Sequence, residues 1–294
     1  MLSRIASKYL SQTQKRKLKS LKHKLRVKYV QAFHAYDFDQ LLKALAGLGL
    51  GPGDSVMLHS AYSPYSGFLG APDQIIAALR QTIGPEGNLL MPSSSYNGST
   101  EAFVKSGESF DVQKSVSHMG ILSELFRHER GTQRSQNPAH PILAAGPRAA
   151  WFTEGHDRCL HSCADGSPFE KLLEADGKVL FFNVPLRYMM FFHYLEHMLQ
   201  DQLPFELYDA ETYRVPIVDA AGAKRAVGVS VFSEEARKRR RFPRFVERLR
   251  QEGMVKECRL GNSKLALVRL GDTVQLAKAM AAEGSYFHEM NGSG

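Results

Sequence analysis

The sequence predicts a layered α/β/α domain on a central mixed sheet, and three observations carry that expectation. From Asp39 onward short β-like runs alternate with segments of helical apolar spacing, the pattern of helices stacked on a sheet. The 294 residues are 43% hydrophobic and 23% charged, an ordinary globular balance, and a chain of this size buries roughly three quarters of its extended surface. Beyond Tyr213 the texture changes to two hairpin-like pairs of runs around a basic helix, which predicts a peripheral C-terminal hairpin and helix subregion. No repeat or low-complexity linker interrupts the body, so residues 37–294 read as a single domain and residues 1–36 as a basic leader, a peripheral helix or a tail.

Taken in order, Leu41, Leu42, Leu45 and Leu48 have helical spacing and are stopped by Gly49, Gly51 and Gly53 before the strand-like Ser55–His59. Ala71–Ile83 reads as a helix because Pro72 and Asp73 suit a first turn, where a missing N–H and a negative charge are both tolerated. Leu89–Pro92 is the next strand, Ser117 the expected cap of a helix over Met119–His128, and Leu143–Gly146 another strand. Ser167 is placed to cap Phe169–Ala175, ahead of a strand at Val179–Asn183. Arg214–Asp219 and Ala226–Phe232 pair across a turn at Ala220–Gly222. One very basic helix is expected over Glu234–Gln251, carrying Arg237, Lys238, Arg239, Arg240 and Arg241. Met254–Leu260 and Lys264–Leu270 flank Gly261–Ser263 as a second hairpin, and Asp272 caps a last helix.

Composition removes several classes of function. Cys159, Cys163 and Cys258 are too few and too oddly numbered for a disulfide framework, which points to a reducing, cytoplasmic setting. No stretch is apolar enough to cross a bilayer; the most apolar, Val179–Phe192, is interrupted by Asn183, Pro185 and Arg187. The formal charge of +8 is concentrated in Met1–Lys28, which holds ten Lys or Arg and no acid. That leader reads first as a solvated or peripheral helix and second as an amphipathic helix lying on anionic lipid. Nucleic acid is not an expected partner, since only Tyr9 and Tyr29 offer stacking surfaces near the basic run. No metal is expected either: Cys159-x-His161-x-Cys163 is spaced more tightly than a zinc knuckle and has no second pair. Gly67, Gly70 and Gly84 form neither a dinucleotide fingerprint nor a phosphate loop with Lys-Ser/Thr.

Six segments place polar or Gly/Pro residues where strands end, which is where α/β folds keep their sites. They include Gly53-Asp54 leading into His59-Ser60; Gly84 and Gly87 before Met91-Pro92; and Ser117-x-Met119-Gly120 followed by Phe126-Arg127. Gly131-x-x-Arg134-Ser135-x-x-Pro138-x-His140, Gly166-Ser167-Pro168 and His193-x-x-Glu196 complete the series. In order and spacing these segments resemble the antibiotic N-acetyltransferase family, typified by the aminoglycoside 3-N-acetyltransferases, over about Asp39 to Glu196; the leader lies outside the resemblance.

The resemblance implies acyl transfer from acetyl-CoA to a primary amine, and with it a CoA-dependent N-acyltransferase. It places the catalytic pair at His193 and Glu196. On a helix these stand at i and i+3, so the carboxylate can hold one imidazole nitrogen protonated while the other takes the amine's proton. The resemblance also places the thioester and pantetheine arm against the segment His59, Ser60, Ala61, Tyr62 and Ser63; separately, backbone N–H groups near Ser60–Tyr62 are the expected donors to the oxyanion of the tetrahedral intermediate. Of these, His59 reads as a satisfied strand-end histidine rather than a second base. Ser117, Met119 and Gly120 are expected to offer N–H groups to phosphate. Arg134 divides between pairing with phosphate and tying down its loop, and His140 between a CoA contact and a structural turn. One departure is Met190, where many relatives carry a small hydroxylated residue three positions before the histidine; it implies a more apolar acceptor pocket.

Five acids and no Lys or Arg lie between Tyr188 and Tyr213, namely Glu196, Asp201, Glu206, Asp209 and Glu211. A pocket built there would concentrate a cationic amine, and a solvated acidic loop is the alternative. The expected acceptor is therefore an aminoglycoside or another amino sugar. The Arg237–Arg241 run keeps a nucleotide- or lipid-linked amino sugar open as a rival. A non-catalytic membrane-associated binding protein with the same fold is the reading from another class. Without a cysteine in a nucleophile motif, direct attack in a ternary complex is expected. The oligomeric state, monomer or homodimer, stays open.

Overall fold

A computed structural model describes residues 11–290, so residues 1–10 of the predicted leader lie outside it. The strands are β1 (Ser55–Ser60), β2 (Asn88–Pro92), β3 (Phe110–Asp111), β4 (Gln133–Arg134), β5 (Ile142–Ala145), β6 (Lys178–Phe182), β7 (Tyr213–Val218), β8 (Lys224–Val229), β9 (Val255–Leu260) and β10 (Ser263–Arg269). The helices are α1 (Gln12–Phe33), α2 (Phe38–Leu48), α3 (Pro72–Ile83), α4 (Thr100–Ser106), α5 (Ile121–Arg127), α6 (Ala149–Thr153), α7 (Pro168–Glu174), α8 (Phe192–Met198), α9 (Glu234–Arg239), α10 (Phe242–Gln251) and α11 (Leu270–Ala282).

Seven strands form the central mixed sheet in the order β4-β5-β2-β1-β6-β10-β9. β1 runs parallel to both β2 and β6, and the outer strands are antiparallel. Alternation along the strands divides the core. Val56, Leu58, Leu180 and Phe182 face α2, α3 and α5 through Leu45, Ile76 and Phe126. Met57, Val179 and Phe181 face the opposite way, onto α7, α8 and α10 through Phe169, Leu195 and Phe245. Helices therefore cover both faces, as the alternating texture predicts. Truncating a ring as deeply buried as Phe181 costs about 3–5 kcal/mol in such a core.

The predicted hairpins both form, with different placements. β9 and β10 extend the central sheet at its edge, whereas β7 and β8 join the short β3 in a separate three-stranded sheet. The Ser167 hydroxyl caps α7 as expected, accepting from the Phe169 N–H. Three local expectations fail. Ser117 does not cap α5: Gly120 enters that helix at φ 102°, and the Ser117 hydroxyl bonds Ser123 instead. Asp272 lies within the first turn of α11 rather than at its cap, which is Arg269. The basic helix over Glu234–Gln251 is two helices, α9 and α10, broken at Arg240 and Arg241. Pro243 explains the break, because it has no N–H to return to the Arg239 carbonyl four residues back. That carbonyl accepts from the Glu289 N–H at 2.9 Å instead.

Candidate active site

The chain leaves β1 toward β2 on one side and later returns to β6 on the other, so the strand order reverses at β1. In α/β sheets the crevice at the carboxyl ends of the strands flanking such a switch point is where ligands bind. Here those ends are Ser60 and Phe182. The Ser60–Ser63 segment follows the first, and the turn leading into α8 follows the second. Both groups of predicted site residues therefore belong to this edge of the sheet.

Phe191, Phe192, Leu195 and Leu199 anchor α8 in the core, and His193 and Glu196 stand on another face of the same helix. Glu196 Oε2 accepts from His193 Nδ1 at 2.7 Å. The Glu196 side chain is wholly buried while that of His193 remains 19% exposed, so an acceptor can reach the imidazole but not the carboxylate. With Nδ1–H committed to the carboxylate, Nε2 is the nitrogen left to take a proton.

Two partners of Glu196 are not visible in the sequence. Its Oε1 accepts from Arg240 Nε at 2.6 Å and from His288 Nε2 at 2.7 Å. Both arrive through the break in the basic run. Arg240 is extended there and bridges antiparallel to His288, with Arg241 N–H donating to the Phe287 carbonyl. Burial alone would raise the Glu196 carboxyl, but Arg240, His193 and His288 outweigh it and hold the group well below the usual carboxylate range. His193 shifts down as well, chiefly through burial and then through the Arg240 charge, with Glu196 opposing. The imidazole is thus neutral near pH 7, the form a general base needs. The sequence signal for this clamp is Pro243, which forbids a continuous helix and frees Arg240 to turn inward.

The remaining predicted residues separate into two groups. His140 lies beside the dyad, its ring centroid 5.7 Å from that of His193, with Nδ1 on the Ser162 hydroxyl at 2.6 Å. His59 is buried and stacks on Phe181, but its Nε2 has no partner among the described residues, so it is not the satisfied strand-end histidine expected. Burial lowers its pKa to about 4. Ser60 and Gly120 approach one another, since a Cβ on Gly120 would lie 3.7 Å from the Ser60 carbonyl oxygen.

Of the expected phosphate contacts, Ser117, Met119 and Arg134 are engaged elsewhere. The Ser117 N–H already donates to Glu124 Oε2, and the Met119 N–H to the Ser117 hydroxyl. Arg134 is buried against the Phe110 ring, with its guanidinium on the carbonyls of Ser115 and Ser93, so it ties down its loops rather than presenting charge to a ligand. The Ala61 N–H donates to the Phe182 carbonyl, which removes it from the proposed oxyanion donors. Tyr62 packs against the core, and the Ser63 hydroxyl accepts from the Tyr65 N–H within a turn.

Beyond the dyad, a cleft of about 920 Å³ is lined by Asp201, Glu206, Asp209, His161 and Tyr208. Its lining contains no Lys or Arg, and its three acids form no ion pair with one among the described residues. Tyr208 stacks on Phe232 with centroids 5.1 Å apart, and Phe232 stands 4.8 Å from His193. Two rings thus connect the acidic cleft to His193. In the sequence this region reads equally well as a solvated loop; the fold gives it walls. Of the metal-type residues in the Cys159–Cys163 segment, His161 stacks on Tyr208 and Cys163 is buried, and no group of three metal-ligating side chains converges among the described residues.

A carboxylate-held imidazole thus stands at the switch point of a mixed sheet, two rings away from an acidic cleft. The chain belongs to the aminoglycoside 3-N-acetyltransferase family, whose model matches residues 57–282. It is 29% identical over 193 residues to aminoglycoside N(3)-acetyltransferase III of Serratia marcescens, an alignment covering 62% of this chain and 70% of that protein. It is 28% identical over 170 residues to aminoglycoside N(3)-acetyltransferase VII of Streptomyces paromomycinus, covering 53% and 59%. With several curated relatives the match spans under two thirds of their length, as with the 58% of a Salmonella enzyme III. Among solved structures, AAC-IIIb in binary complex with CoASH is 28% identical with a TM-score of 0.72, covering 85% of this chain and 98% of that one. Aminoglycoside acetyltransferase AAC(3)-Xa shares the fold, with a TM-score of 0.75 at 24% identity, covering 92% and 99%.

Proposed function

We propose that this protein transfers an acetyl group from acetyl-CoA to a primary amine of an aminoglycoside or similar amino sugar, with His193 as general base oriented by Glu196. The observation carrying this reading is the Glu196 carboxylate, held by three donors and bonded to the one nitrogen of His193 that is not needed for chemistry. Membership of the family and the CoA complex of its relative support an acyl-CoA donor.

His193 Nε2 takes a proton from the amine as the amine nitrogen bonds the thioester carbonyl carbon. The C–S bond then breaks, and the imidazolium returns that proton to the departing thiolate. Glu196 stabilises the transient imidazolium, and Arg240 with His288 keeps the carboxylate ionised and fixed. The segment beginning at Ser60 would hold the pantetheine arm. Asp201, Glu206 and Asp209 would draw the polycationic acceptor toward the base.

The acidic cleft favours a cationic acceptor over a phosphorylated one. The Arg237–Arg241 run does not supply the rival reading with free charge, because each member is paired with a carboxylate, from Arg237 on Glu101 to Arg241 on Glu289. Incubation with acetyl-CoA and a mass-resolved panel of aminoglycosides and nucleotide-linked amino sugars tests the proposal. Acetylated aminoglycoside is the expected product. Acetylation of the nucleotide-linked sugars alone would replace the acceptor, and absence of any product together with no CoA-induced rise in Tm would indicate a binding protein.

A further inference from the structure

We propose that α1 is an interfacial helix that lies in the headgroup layer of an anionic phospholipid bilayer and docks the folded body there. The helix carries eight Lys or Arg between Gln12 and Phe33 and no acid. It also carries an apolar line that the fold leaves uncovered: Leu18, Leu21, Leu25, Tyr29 and Phe33, which are 39%, 53%, 59%, 58% and 71% exposed. Their spacing of three or four residues places all five on one stripe of an α-helix. Five uncovered large apolar side chains in line form an exposed apolar patch of the kind that marks an interaction site.

The body touches α1 elsewhere. His23 Nδ1 meets the Tyr65 hydroxyl at 2.6 Å, the Arg26 guanidinium lies 4.2 Å over the Tyr65 ring, and Val30 is buried. These three stand about a third of a turn around from the stripe at 3.6 residues per turn. The end of the helix is held firmly. The His34 carbonyl sits in a notch where a Cβ on Gly67 or Gly261 would come within 2.0 or 2.2 Å of it, and both glycines have positive φ. Just beyond, the Tyr36 hydroxyl bonds Ser263 at 2.8 Å. The stripe is therefore presented outward by a fixed mount.

Charge chooses the occupant. Lys17, Lys24 and Lys28 flank the stripe on one side, Lys15, Lys19 and Lys22 stand along its other margin, and no residue of α1 makes a salt bridge among the described residues. Apolar side chains sinking below the headgroups, with cations on both shoulders at the phosphate level, match an anionic lipid surface. A second copy of the helix would bring like charges together.

Co-sedimentation of the full chain with vesicles of phosphatidylcholine alone, and with about a third phosphatidylglycerol added, tests the assignment. Binding to the anionic vesicles should exceed that to the neutral ones at least tenfold, and 0.5 M salt should weaken it. The variant Leu21→Gln/Leu25→Gln/Phe33→Gln should lose binding while keeping its Tm and any acetyl transfer, and Lys24→Gln/Lys28→Gln should lower partitioning on the order of tenfold. Equal binding to both vesicles, no binding to either, or unchanged binding by the triple variant overturns the proposal. So does a homodimer that the triple variant converts to monomer, which would assign the stripe to a second copy.

Discussion

Two stretches of this chain look alike in sequence and behave oppositely in the fold. α1 and the Arg237–Arg241 run are both dense in Lys and Arg. In α1 the cations are exposed, Arg26 lying over the Tyr65 ring, and there is no acid on their own helix. In the second run every cation is matched to a carboxylate, and one of them, Arg240, passes inward to the buried Glu196. The difference arises just downstream of each run. Pro243 breaks the second one into an extended residue that can pair with Phe287–Glu289, whereas α1 runs unbroken to His34 and meets the body only along one side. A run of charge therefore reports nothing about its use until its partners are known.

Removing parts of the clamp should sharpen that contrast. Glu196→Gln keeps the shape but cannot stabilise an imidazolium, and a fall in kcat of about a hundredfold or more is expected in steady-state acetylation assays. Arg240→Gln leaves a buried carboxylate short of a partner. A loss of about 3–5 kcal/mol in denaturant unfolding should result. Because Arg240 depresses His193, the acid limb of kcat/KM should also move to higher pH in that variant. Arg240→Lys should recover part of the stability.

Acid should destabilise the protein in a defined window. His59 and His156 have folded pKa values near 4, both lowered by burial from 6.5. The unfolded chain therefore binds more protons between those values, and stability falls as pH drops from about 6.5 toward 4. Glu196 acts in the same direction, since its depressed carboxyl contributes above the unfolded carboxylate pKa and that contribution is lost below it. Tm measured across this range should decline steadily with acidification. The smallest effect belongs to Arg241→Gln, which removes a half-exposed pair with Glu289 and should cost less than about 1 kcal/mol by the same unfolding measurement.

Much of the fold and of the dyad is legible in the sequence because it depends on local spacing. Leu41, Leu45 and Leu48 identify α2, Ser167-Pro168 starts α7, and His193-x-x-Glu196 lies within one helical turn. The features that escape depend on tertiary contact. Arg240 and His288 are 44 and 92 residues from Glu196, and no period links them to it. Ser117 misleads because its hydroxyl has two local uses, and the pairing with Ser123 prevails over capping. The two-residue β3, which turns β7 and β8 into a separate sheet, is too short to leave a pattern.

Rapid-mixing single-turnover acetylation by His193→Ala, run with acetyl-CoA and an aminoglycoside after CoA has been seen to raise the Tm of the variant as it does the parent, reaches the reacting atoms most directly. A rate constant lower by a hundredfold or more, with donor binding intact, is the predicted result. A rate equal to the parent's would contradict the assignment of the base and, with it, the catalytic role of the three-donor cage around Glu196.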